Sequence, residues 1–196
     1  MRCNLFIIQR INFFWLILLL IWPFVVVADE LKYRAIPQQS EISFEYKFGN
    51  QTLTGKVNDF EIDAQINFQN ISNSSVSAAI DTATMTGGFI FATEALRSPK
   101  MLDVKKYPKI KFNSLEVSGA IPSATIKGLA TIKGISKPID FDARWVRPAG
   151  TSVEEINTLI ILATGALNRF DFGVDGYSKE VDAELIFNMR ITIEQF

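Results

Sequence analysis

The chain from residue 31 onward alternates between apolar and polar positions with a period of two. Ile42, Phe44, Tyr46 and Phe48 interleave with Glu41, Ser43, Glu45 and Lys47. Ile139, Phe141, Ala143 and Trp145 interleave in the same way with Asp140, Asp142 and Arg144. In an extended chain, successive side chains point to opposite faces, so each run predicts a strand with one dry and one wet face. The last run is the longest. Val181, Ala183, Leu185, Phe187, Met189, Ile191 and Ile193 share a face, and Asp182, Glu184, Asn188, Arg190, Thr192 and Glu194 lie opposite, with Ile186 the exception. Weaker strand signals cover Leu31–Ile36, Leu53–Phe60, Ala64–Phe68, Val76–Ile80, Ile110–Val117, Thr125–Ile132 and Thr158–Leu167.

Gly, Asn, Ser and Pro separate these runs, as in an all-β antiparallel meander. Only Gly87 to Tyr107 resists. Within it Thr93–Ser98 (TEALRS) has good helix formers and a threonine able to cap, which predicts one short helix in a long loop. Pro148 to Ser152 reads as a hairpin loop, not a domain boundary, and there is no repeat or low-complexity tract. Eight to ten such strands must close their edges or invite edge pairing, and both a sandwich and a closed barrel do this. The length of the last strand favours a barrel, since long strands suit a tall, tilted wall. An eight-stranded barrel can be filled by side chains or hold one small ligand, and periodicity does not choose between them.

Composition narrows the chemistry. The 196 residues contain no histidine and one cysteine, which removes His-dependent triads, His-ligated zinc and an imidazole base. A net charge of −1 gives no basic footprint for nucleic acid. The first 28 residues stand apart. Arg2 and Arg10 precede the apolar run Ile11 to Trp22, Pro23 breaks it, and Ala28 precedes Asp29 and Glu30. This is the pattern of a secretory signal peptide cut after Ala28. An uncleaved anchor is the rival, because Ile11 to Ala28 has the 18 residues of a marginal span; Pro23 and the small residue at the cut favour cleavage. Cys3 leaves with the leader, and residues 29–196 become one domain with no cysteine, expected in the periplasm or outside the cell. At that size a domain buries roughly 70% of its unfolded surface without disulfides.

Six stretches, in order, resemble the YceI-like family of exported lipid-binding proteins. Ser40-Glu41-Ile42-Ser43-Phe44 is similar to its opening Ser-x-Ile-x-Phe strand. Gly55-Lys56-Val57 through Phe60 to Ile66-Asn67-Phe68, and then Ile80-Asp81-Thr82, follow its next two patterns. Leu96-Arg97-Ser98, Leu102-Asp103-Val104 and Tyr107 to Phe112 match its central stretch. Gly134 to Ile139 looks like its Gly-φ-[Thr/Ser]-Lys-Pro-φ turn, and Arg169 to Val174 its late Arg-x-Asp-Phe-Gly signature. The resemblance implies a lipocalin-like antiparallel barrel whose lumen holds a long apolar molecule, in described relatives a polyisoprenoid. Where the family often has histidine, this chain has Gln39 and Ala95, so no histidine role carries over.

On that resemblance Phe44, Tyr46, Phe112, Phe141, Phe187 and Met189 become candidate lumen-wall residues, where composition alone makes them ordinary core. Phe89 and Phe91, beside Gly87-Gly88, are expected either to pack a loop onto the barrel or to cover its mouth. Arg169, near Asp171 and Asp175, is expected in a local ion pair or turn cap, with a head-group contact as the sharper alternative. Lys137-Pro138 reads as turn chemistry. Lys105-Lys106 could touch a membrane surface transiently, but such a pair is usually just solvated. Asp140 and Asp142 point to solvent from the wet face of a strand and make no acid–base pair. No cofactor, metal or nucleic acid is expected. The chain reads as a non-enzymatic carrier or store of a long-chain isoprenoid or other lipid, with a filled-barrel structural or interaction module as the alternative.

Overall fold

The computed structural model describes residues 30–150, 152 and 155–196; the expected leader, with its expected cut after Ala28, lies outside them, as does part of the Pro148 to Ser152 loop. Ten strands and one helix follow in chain order: β1 (Leu31–Ala35), β2 (Glu41–Phe48), β3 (Gln51–Val57), β4 (Phe60–Ile66), β5 (Ser75–Asp81), α1 (Ile90–Arg97), β6 (Lys109–Ala120), β7 (Ser123–Ile132), β8 (Ile135–Val146), β9 (Thr158–Asn168) and β10 (Val181–Gln195). Every pairing is antiparallel. The order β1-β4-β5-β6-β7-β8-β9-β10 closes on itself through β1–β10, giving an eight-stranded barrel, and β2–β3 is a hairpin added beyond it.

The long last strand makes closure possible because it serves two partners along one edge. Its end, Ile193 to Gln195, pairs with β1, while Val181 to Arg190 pairs with β2. β1 and β2 are thus one line of chain broken at Pro37–Gln39, where Ser40 Oγ bonds to the Ile36 carbonyl and accepts from Thr192 N. The β2–β3 hairpin raises the wall at one end of the barrel. The segment before α1 is stitched to its outer edge by reciprocal backbone bonds between Lys56 and Thr86.

Three expectations need correction. The runs Leu53–Phe60 and Ala64–Phe68 are divided elsewhere, by a turn at Asn58-Asp59, because Asn58 Nδ2 and Asp59 N both bond to Thr84. The helix begins at Ile90, three residues before Thr93, which therefore caps nothing. Thr93 Oγ1 instead donates to the Phe89 carbonyl and accepts from Gly87 N, tying the first turn to the preceding strap. Finally, Pro138 sits inside β8, and the turn is Lys133-Gly134, both at positive φ. β9 pairs with β8 only from Phe141 to Val146, so the outer edge of β8 at Pro138 has no β9 partner needing an N–H.

Candidate functional site

The inward positions of the barrel decide whether it is filled or hollow. Several are small: Ala64, Ala78, Ala130, Ala143 and Ala163 face the lumen from five different strands. The large rings lie against the wall, beside glycines on adjacent strands. A side chain at Gly55 would run into the Phe44 ring, one at Gly128 into Phe112, and one at Gly165 into Phe141. Phe112 and Phe141 also meet edge-to-face at 5.3 Å, and Phe44 and Phe187 lie 6.1 Å apart. Small residues and flattened rings leave a cavity of about 840 Å³ along the lumen. That is within the range of about 300–1,000 Å³ typical of ligand pockets.

Phe44, Tyr46, Phe112, Phe141, Phe187 and Met189 all border this cavity, as do Phe89 and Phe91 at its mouth. Sequence reasoning missed the alanines, which carry no signal except as small members of an alternating face. It also missed Trp145, Met85, Met101 and Phe172 as lining residues.

The mouth is built from the hairpin tip around Phe48, the strap and helix from Gly87 to Arg97, and the loop from Arg169 to Val181. Its backbone is firmly anchored. Tyr46 Oη donates to the Gly87 carbonyl at 2.6 Å, and burial raises the pKa of this phenol. Arg97 places Nε and Nη2 on the Met85 carbonyl, at 3.1 and 2.9 Å. Gly88, at φ +93°, passes against the Thr54 carbonyl where no side chain would fit. The side chains carried by this anchored backbone are nonetheless open: Ile90 and Phe91 are 74% and 76% exposed, and Phe48, Phe89 and Tyr177 are also exposed.

Arg169 borders the cavity and is only 2% exposed. Its partners are four carbonyls and, more distantly, the Met101 thioether, not the carboxylates of a local ion pair. Nε donates to Asp182, Nη1 to Val174 and Gly176, and Nη2 to Val181. Four of its five N–H groups are thereby used in shaping the mouth loop, and at most one remains for a ligand. Burial lowers its pKa from the ordinary guanidinium value, and the nearby Asp175 and Asp182 carboxylates act in the opposite direction. The other polar groups at the mouth include Glu94, Ser98, Tyr177 and Glu180.

The opposite end is closed by aromatic contacts. Trp145 of β8 borders the cavity and lies 5.5 Å from Phe68, which follows β4; Phe68 in turn lies 6.3 Å from Tyr33 of β1. Tyr33 is fully buried, and its hydroxyl donates to the Ile156 carbonyl at 2.8 Å. Burial pushes its pKa up to about 12.

Two other candidates lie outside the lumen. Asp142 accepts from Thr125 Oγ1 on the exposed face, with Asp140 also exposed, and Lys106 Nζ lies 5.2 Å over the Tyr107 ring. Gln39 and Ala95 separate: Gln39 offers its carbonyl to Thr192 Oγ1, while Ala95 borders the cavity on α1. Among the described residues no group of three or more acidic or cysteine side chains could hold a metal ion. No helix among them is long and apolar enough to cross a membrane.

The family model for the YceI-like domain matches residues 33–194. A UPF0312 protein of Pectobacterium atrosepticum is 31% identical over 121 residues, which are 61% of this chain and 63% of that protein. A UPF0312 protein of Pseudomonas aeruginosa is 32% identical over the same shares of the two chains. Among solved structures, BcnA of Burkholderia cenocepacia superimposes with a TM-score of 0.72 at 18% identity, over 81% of this chain and 98% of that one. A polyisoprenoid binding domain from Saccharophagus degradans superimposes with a TM-score of 0.63 at 10% identity, over 85% and 99%. At such identities these two carry the fold.

Proposed function

The chain belongs to the YceI-like family, and from that premise and its hollow barrel we propose that it is an exported, non-enzymatic carrier or store of a long apolar ligand, a polyisoprenoid or similar amphiphilic lipid. The carrying observation is the cavity of about 840 Å³ whose wall is apolar from Trp145 to Phe89. Each methylene withdrawn from water contributes roughly 0.8 kcal/mol. Ten of them, about 8 kcal/mol, exceed the lower estimates of association cost, about 4 kcal/mol. A prenyl tail needs no charged contact to stay bound, and its polar end belongs at the mouth, beside Tyr177, Ser98, Glu94 and Glu180.

The polyisoprenoid binding domain from Saccharophagus degradans supports this ligand class. Export rests on the leader pattern of residues 1–28, and non-enzymatic action on a lumen lined mainly by alkyl and aromatic groups, where the buried Arg169 is held by backbone carbonyls. Gentle purification followed by native mass spectrometry and organic extraction tests the reading. A stoichiometric lipid is expected, and an apolar barrel recovered empty from its native host would overturn it. Intact-mass analysis of the periplasmic fraction tests export separately, with loss of residues 1–28 expected.

A further inference from the structure

The closed end of the barrel lies where the tip of an inserted chain would stop, and its construction is specific. In the ring of eight strands β4 and β8 stand four places apart, directly opposite one another. Phe68, two residues beyond the end of β4, and Trp145 of β8 nevertheless bring their rings to 5.5 Å. The contact therefore spans the barrel from wall to wall. It is braced behind by Tyr33, which meets Phe68 edge-to-face and is pinned by its hydroxyl to Ile156. One inward position nearer the mouth on the same strand, the wall drops from Trp145 to Ala143, which also borders the cavity.

We propose that Trp145, backed by Phe68, is a floor that sets the longest prenyl chain the barrel accepts. This inference rests on the carrier reading above. A water occupies about 30 Å³, similar to a methylene, so the cavity of about 840 Å³ accepts roughly 28 carbons, or about five to six prenyl units. One inward position along a strand tilted by about 40° is about 5 Å of barrel axis, close to the length of one prenyl unit. Removing the Trp145 ring deepens the lumen by about that step, and placing a ring at Ala143 makes it shallower by the same amount.

The test measures affinity of delipidated wild-type, Trp145→Ala and Ala143→Phe proteins for farnesol, geranylgeraniol, pentaprenol, hexaprenol, heptaprenol and solanesol, with folding checked by circular dichroism. For the wild type, affinity is expected to climb at least tenfold per added unit and to level off at five or six units. The plateau should arrive about one unit later in Trp145→Ala and about one unit earlier in Ala143→Phe. Ala143→Phe keeps the test decisive if Trp145→Ala does not fold. A wild type that climbs and levels off, with the folded variants levelling off at the same unit, overturns the floor alone. A wild type that takes none of the prenols overturns the carrier reading and the floor with it.

Discussion

The two ends of this barrel use the same residue types for opposite purposes. At the closed end Phe68 meets Tyr33 on one side and Trp145 across the lumen on the other, and the buried Tyr33 hydroxyl has a carbonyl partner. At the mouth Phe48, Phe89, Phe91 and Tyr177 border the same cavity yet remain exposed, although the backbone beneath them is tied by Tyr46, Arg97 and Thr93. Aromatic content therefore says little by itself. What differs is whether an opposing wall is close enough to cover the ring. The floor spends its rings on protein contacts and closes; the mouth holds its rings in place while leaving their faces free.

The comparison breaks most severely if the mouth loop loses its organiser. Arg169→Leu strips partners from four carbonyls that a buried guanidinium now gathers. Hydrogen bonds to a charged group are worth about 1.5–3 kcal/mol each, although the loop can relax toward water. A loss of about 3 kcal/mol or more is expected, read as a lower urea midpoint, with hydrogen exchange rising first in residues 170–181. A midpoint unchanged from wild type would mean the carbonyls are satisfied without it. Next in size, Phe68→Ala at the half-buried floor is expected to cost about 2 kcal/mol, below the 3–5 kcal/mol of a fully buried phenylalanine. If it costs no more than a mouth substitution, the floor is not packed as described.

Tyr33 sharpens the same contrast through pH. Its phenol ionises near pH 10 in the unfolded chain and only near 12 in the fold. Folding thus favours the neutral phenol, and its contribution is complete below about pH 10 and lost as pH rises to about 12. Tyr33→Phe should cost about 1 kcal/mol at neutral pH, for the lost bond to Ile156. It should also flatten the decline in stability above pH 10, leaving the share from Tyr46, whose pKa burial also raises. Chemical denaturation at pH 8, 10 and 11 checks both effects, and identical slopes in wild type and variant would rule out a Tyr33 contribution.

The fold was largely legible because alternation is a local signal. Each of β1, β2 and β5 to β10 coincides with a predicted run, and the length of β10 reflects the two partners it serves. The misplaced turn at Asn58-Asp59 was not legible, since its cause is Thr84, twenty-five residues away. The same holds for α1, whose start depends on Thr93 reaching back to Gly87. Wall aromatics could be named once the family pattern fixed the inward face. The hollowness could not, because it depends on small residues such as Ala64, Ala78, Ala143 and Ala163 lining one cavity from separate strands and on Phe112 and Phe141 lying beside glycines of adjacent strands. Trp145 reads in sequence only as one more apolar position of an alternating strand; closure of the ring is what sets it against Phe68.

The smallest expected change in stability comes from the exposed rings of the mouth. Phe89→Ser with Phe91→Ser removes two side chains with little protein to cover them, and surface substitutions of this kind usually stay within about 0.5 kcal/mol. Their tie to the cavity predicts an effect of a different sort. Both border the lumen where a ligand's emerging end would lie, so their loss uncovers apolar ligand surface at about 25 cal/mol per Å². Some 40 Å² uncovered corresponds to about 1 kcal/mol, or roughly a fivefold faster release. Stopped-flow transfer of a fluorescent prenol to acceptor vesicles, alongside urea denaturation, separates the two readouts. Unchanged release with unchanged stability would reduce these rings to passive surface, while a stability loss near that of Phe68→Ala would show that the mouth is packed like the floor and remove the contrast between the two ends.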